Sequence, residues 1–273
     1  MFGGFLTIDN NGVRRLENET ARVRLGVNLR CTRREFWPSA LNVLEALQIG
    51  SAAGRARRLG ALEALANGNL ALTLPAEVLR RIAEAYARGE PTVIYSDQSV
   101  TALLREPQDV SASQLSDVRE YLQEQEASFR AVHDRAYREL RPAMLAAGGI
   151  STWPNVATYL DEVWSTPDHL EPYARALWDM WRLDGPPPIE RLLKHPAWRI
   201  FFEGWGAAFY GHSLARPAMR WTETADLQQL VYLGITPNGL LATDDTGLLA
   251  MGTAILRGRY SLREVVPVDA ILT

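Results

Sequence analysis

Residues 224–249 read TADLQQLVYLGITPNGLLATDDTGLL, and the change of character inside this stretch decides the fold. Leu227, Leu230, Val231 and Leu233/Gly234 recur at helical spacing behind Asp226, with Thr224 in the capping region, so a helix opened by an acid is expected. Thr236-Pro237-Asn238-Gly239 is turn chemistry. Leu240 to Ala242 is then a short apolar run of the kind that fills a buried parallel strand, and it stops at Thr243-Asp244-Asp245. Carboxylates just past the carboxyl end of such a strand lie where open α/β sheets keep their chemistry. Taken alone, Asp226 is more simply a helix-terminus acid and Asp244-Asp245 an ordinary turn. The reading therefore depends on whether the chain supplies matching acids elsewhere.

Two other places do. Gly4-Phe5-Leu6-Thr7-Ile8 has strand composition and ends in Asp9-Asn10-Asn11-Gly12, a second acid at an expected strand end, with an Asx turn as the simpler account. Ser39 follows Pro38 as an N-cap, and Ala40, Leu41, Leu44 and Leu47 form an apolar stripe with Glu45 at its edge. Helical composition runs on from Ala52 to Ala66 and stops at Asn67-Gly68-Asn69. Leu70 to Leu74 then reads as a strand, and Pro75 opens a helix that ends near Arg88. Pro91 to Tyr95 reads as a short extended piece.

A long amphipathic helix is expected from Ser111 to Ala147; His133 lies on it and takes no role. Residues 151–220 hold six of the eight tryptophans, expected to be the core of a helical subdomain, with a base-stacking surface as the alternative. Gly247 to Leu256 reads as a helix and Val265 to Leu272 as a last strand, placed at an edge by Pro267. The order of elements gives an α/β fold, a doubly wound and mostly parallel central sheet with a helical insertion.

The 273-residue chain has a net charge of −3, which gives no global argument for binding nucleic acid. Residues 1–60 nevertheless carry ten arginines against five acids, so a local phosphate-facing surface is compatible with the sequence. A single cysteine, Cys31, excludes an internal disulfide and a multi-thiolate zinc site. No run approaches the roughly 18–20 apolar residues of a membrane span. The first residues do not read as a secretory leader, so no membrane partner and a cytoplasmic location are expected.

With the acids placed, the chain resembles the PIN-domain nucleases. FLTIDNN resembles that family's first strand ending in Asp-x-Asn, WPSALNVLEAL its Ser-to-Glu helix, ADLQQLVYL the helix opened by a metal-binding acid, and LLATDDTGL its Thr-x-Asp strand end. The resemblance covers residues 1–95 and 222–273 as the catalytic domain, with residues 96–221 as the helical insertion. It implies a three-layer α/β/α fold and a metal-dependent nuclease, an endoribonuclease by preference. Asp9, Glu45, Asp226 and Asp245 are then the catalytic, metal-binding acids, with Asp244 beside them and Asn11, Ser39 and Thr243 orienting them. Mg²⁺ or Mn²⁺ is the implied cofactor, since such hard ions take carboxylate oxygens and can activate water for phosphodiester hydrolysis. Arg14, Arg15, Arg33 and Arg34 are the first candidates to draw RNA phosphates. A degenerate module that binds RNA or a protein partner is the alternative, and a phosphatase-like hydrolase using Asp9 as nucleophile is a third reading. Self-association into a homo-oligomer and a protein inhibitor both stay open.

Overall fold

In a computed structural model of the chain, the described residues are 4–90, 93, 95–106, 111–163, 167–211, 228–256, 260 and 262–273. Asp226 and Thr224, Trp164 and part of the expected 91–95 extended piece lie outside them. Four strands, β1 (Phe5–Ile8), β2 (Glu35–Phe36), β3 (Gly239–Thr243) and β4 (Glu264–Pro267), form one sheet in the order β2-β1-β3-β4. Every pairing is parallel, with Phe5 opposite Gly239 and Ile8 opposite Ala242 in the centre, and Thr243 opposite Pro267 at the edge. Burial follows this order. All residues of β1 and β3 are buried, whereas β4 alternates and its proline falls on the last strand position, where a missing N–H costs least.

Alternate strand residues feed two apolar layers. Leu6, Ile8, Leu240 and Ala242 pack with Val13, Leu25, Val43 and Leu62, which belong to α1 (Asn10–Arg15), α2 (Glu19–Thr32), α3 (Ala40–Leu47) and α4 (Ala52–Ala66). Phe5, Leu241 and Val265 face the opposite way, onto α5 (Pro75–Arg88), the helix Thr246–Leu256 and the helices of the expected insertion. The described helices of the insertion are, in chain order, α6 (Gln98–Arg105), α7 (Ala112–Ala146), α8 (Val156–Glu162), α9 (Pro167–Met180), α10 (Ile189–Leu192) and α11 (Pro196–Phe209). A parallel sheet between two helical layers is the expected α/β arrangement, but the described part of the insertion has no separate core: its residues from Val132 onward join the layer on one face of the sheet, while Val100 and Leu104 join the layer on the other.

Several boundaries follow local chemistry. Ser39 caps α3 in a capping box with Asn42, Ser51 caps α4, and α4 ends on Asn67 in the left-handed conformation. Pro75 occupies the first turn of α5 and Gly89 ends it. Three expectations are corrected. Leu70–Leu74 forms no strand; Leu72 makes only isolated bridges to Ser39 and Ser96, and beside them single backbone bonds to Tyr95 and Asp97 and bonds from the Thr101 and Tyr232 hydroxyls take the place of a continuing ladder. The described part of the run behind Asp226 is a 3-10 helix, Gln229–Gly234, pressed against α11. The final strand stops at Pro267, and Asp269–Leu272 turns into a short helix.

The described tryptophans of the insertion serve as core. Trp153, Trp178, Trp198 and Trp205 are buried and Trp181 packs edge-on against Trp198 at 6.0 Å, which removes base stacking as their role. Tyr232 ties the layers together, its hydroxyl donating to the Thr73 carbonyl at 2.7 Å in a fully buried setting. Tyr232→Phe leaves that carbonyl short of a partner and should cost about 1–2 kcal/mol, read as a lower denaturant midpoint with an unchanged m-value.

Candidate functional site

The strand order places a topological switch between β1 and β3, since the chain leaves β1 towards β2 and later returns on the other side. The crevice beyond the carboxyl ends of these two strands is where such sheets bind ligands. Asp9 ends β1 there, and Thr243-Asp244-Asp245 ends β3.

Each side chain is held by a specific bond. Asp9 is the N-cap of α1 and is 1% exposed; its Oδ1 accepts from the Gly12 N–H at 2.7 Å and its Oδ2 from the Thr243 hydroxyl at 2.7 Å. Thr243 Oγ1 in turn accepts from the Asp245 N–H at 2.9 Å, so one hydroxyl couples the two strand ends. Asp245 Oδ1 accepts from the Leu248 N–H at 2.7 Å and caps the helix Thr246–Leu256. Asp244 is exposed and meets Arg15 Nη1 at 3.1 Å, while Arg15 Nη2 reaches Asp269 at 2.5 Å.

Burial pushes the Asp9 carboxyl above its ordinary range; the bonds from Thr243 and Gly12 oppose this, and the like charges of Asp244 and Asp245 add to it. The crevice is therefore short of positive charge at a buried carboxylate. Its donors are oxygens from Asp9, Asp244 and Asp245, a set that suits a hard dication in charge and in donor type. Among the described residues no group of three acids is already gathered as a metal cage.

The remaining expected site residues are distributed as follows. Glu45 is exposed on α3. Ser39 is buried and spent on capping α3. Asn11 and Arg14 are exposed on α1. Arg33 ends α2 in the left-handed conformation and Arg34 leads into β2, so both sit at the strand-entry end of the sheet, away from the acids. Of the four arginines the structure brings only Arg15 to the acidic residues. Two contributors escaped the sequence reading. Asn42 donates from Nδ2 to the Ile8 carbonyl at 3.0 Å, fixing α3 to the end of β1, and the Ser-x-x-Asn spacing of a capping box was its signal. Asp269, behind the last strand, gave no signal, because its role depends on where Arg15 ends.

The chain matches no family model, no curated protein and no solved structure. Among the described residues no helix is long and apolar enough to cross a membrane.

Proposed function

We propose that the protein is a metal-dependent nuclease that hydrolyses phosphodiester bonds, acting on RNA. The observation that carries this reading is the convergence of buried Asp9 with Thr243 and Asp245 at the switch point of a parallel sheet. Asp9 and Asp245 would hold Mg²⁺ or Mn²⁺, with Asp244 beside them and Glu45 and Asp226 as the further acids. Such an ion, when bound, lowers the pKa of an attacking water and neutralises phosphoryl charge. The chain's own groups do the rest. Thr243 donates to Asp9 Oδ2 and fixes the carboxylate's orientation, while Gly12 holds the other oxygen. Arg15, stretched between Asp244 and Asp269 at the rim, presents a guanidinium suited to a phosphate oxygen.

The test is cleavage of single-stranded and structured RNA by purified protein with Mn²⁺ or Mg²⁺, set beside Asp245→Asn, which keeps an oxygen to cap the following helix. Metal-dependent cleavage by the wild type and its loss in the variant is the expected result. Equal rates in both, or none in either on every substrate, would sink the proposal. A second reading has its own support, since both Asp9 oxygens are already occupied and three acids are not gathered: a module that binds RNA or a protein partner without cutting. It predicts no Asp9-dependent rise of Tm on adding Mn²⁺.

A further inference from the structure

The arginines of residues 1–60 divide into those with a fixed partner and those without. Arg15 is shared between Asp244 and Asp269, Arg57 and Arg58 meet Glu17, and Arg22 and Arg55 donate to the backbone carbonyls of Leu16 and Ile49. Arg14, Arg24, Arg30, Arg33 and Arg34 make no ion pair among the described residues, and all but the half-buried Arg34 are exposed. The nearby acids do not offset them. Glu17 is taken, Glu35 accepts from Trp37 Nε1 at 3.1 Å, and Glu19 lies in the first turn of α2, where the helix dipole favours a carboxylate.

Four of the free arginines lie along α2. At about 3.6 residues per turn, Leu25 and Leu29 point into the core while Val23, Arg24, Val27 and Arg30 point out. Val23 and Val27 are 59% and 46% exposed, so the outward stripe interleaves arginine with aliphatic groups instead of pairing arginine with acid. Arg33 and Arg34 follow at its C-terminal end. The helix carries the chain back from the carboxyl end of β1 to the entry end of β2, and it packs against Asp269–Leu272, whose Asp269 holds Arg15. The stripe therefore runs from beside the acidic crevice towards the opposite end of the sheet, along a helix about 20 Å long at about 1.5 Å per residue.

A row of guanidinium groups without carboxylates attracts a row of anions, and a nucleic-acid backbone supplies one. A globular protein partner needs roughly 800 Å² of contact around an apolar centre, which two valines on one helix do not supply. We propose that the outward stripe of α2 is a track for the phosphates of single-stranded RNA, held by Arg24, Arg30, Arg33 and Arg34, with Val23 and Val27 against the sugar edges, and that it leads the strand to the crevice at Arg15. The proposal rests on RNA as the ligand, which the nuclease and the binding-module readings share.

The test is anisotropy of a short labelled RNA single strand bound to the protein in EDTA, on an Asp245→Asn background so that nothing is cut, across a series of salt concentrations. Arg24→Gln/Arg30→Gln should weaken binding on the order of tenfold at about 0.1 M salt and flatten the slope of log K against log salt by about 1.4, two phosphate contacts at about 0.7 each. Arg33→Gln/Arg34→Gln should act likewise from the far end of the stripe. Arg88→Gln/Arg135→Gln removes the same charge from exposed arginines on α5 and α7 and should change neither quantity. Equal weakening by all three pairs would make the effect one of net charge and overturn the track. Capture by anionic phosphatidylserine vesicles without binding of RNA overturns it too, and arginine-dependent binding of DNA alone overturns the choice of RNA. A wild type that cleaves RNA while the α2 variants bind it undiminished overturns the track and leaves the nuclease reading standing; arginine-dependent binding of RNA by a wild type that does not cleave it does the reverse.

Discussion

Asp9→Asn should melt at a higher temperature than the wild type at pH 7 while losing metal-dependent RNA cleavage. Asp9 is 1% exposed, and its carboxyl is raised by burial first and by Asp244 and Asp245 in addition. A carboxyl whose folded pKa lies above its unfolded one favours the protonated chain in the fold. Its ionised form therefore costs stability in full above the folded value, and the cost is relieved as the pH falls towards the unfolded value. Asparagine removes the charge and keeps an oxygen for the Gly12 N–H, so α1 retains an equivalent N-cap. A gain of about 1 kcal/mol would appear as a rise of roughly 2–4 °C in proteins of this size class. The advantage of the variant should shrink as the pH is lowered from 7 towards 4, which differential scanning at several pH values can follow. Cleavage should fall on the order of a hundredfold or more, the scale of losing one preorganised electrostatic contact. Mn²⁺ should raise the Tm of the wild type and leave the variant unmoved. A variant that melts lower at pH 7 would contradict the electrostatic account of the crevice; one that cleaves RNA normally would contradict the catalytic account.

Much of this crevice is written locally. Phe5–Ile8 and Gly239–Thr243 are continuous apolar runs because both faces of a central parallel strand are buried, and each ends where polarity returns. The Thr-x-Asp spacing has a local counterpart in the structure: the Thr243 hydroxyl accepts from the Asp245 N–H while donating to Asp9. Leu70–Leu74 misled because strand composition is a statement about burial; Leu72 is buried, but its backbone pairs at single bridges only. The arginines were illegible for a different reason. Arg14, Arg15, Arg33 and Arg34 are alike in sequence, and only the direction of β1 and β2 separates Arg15 at the carboxyl edge from Arg33 and Arg34 at the opposite one. The tryptophans' role likewise depended on which sheet face the insertion covers, a long-range fact that no window of sequence contains.

Gly234→Ala should be the most destabilising single-methyl change in the described core, costing about 3 kcal/mol or more, above the usual range for overpacking. A Cβ built on Gly234 would stand 2.1 Å from both the Cα and the N of Ala197 and 2.6 Å from the carbonyl carbon of Pro196. All three are backbone atoms in the first turn of α11, so no side-chain rotation relieves the clash. The 3-10 helix ending at Gly234 would have to part from α11, where Trp198 is fully buried and donates from Nε1 to the Leu79 carbonyl at 3.0 Å. Gly60→Ala is the matched control: it adds the same methyl to an exposed position inside α4 with nothing within 4 Å, and should stabilise by about 0.5–1 kcal/mol. Opposite signs in urea denaturation would assign the effect to space at Gly234 rather than to the chemistry of the substitution. The consequence reaches the crevice as well. Gly234 is five residues ahead of β3, and β3 carries Thr243 into register with Asp9, so a backbone displaced there loosens the hydroxyl bridge between the two acids. Any fraction of Gly234→Ala that folds should therefore cleave RNA more slowly than Gly60→Ala at equal concentration of folded protein. Equal rates would mean that the strand ends are positioned by the sheet alone.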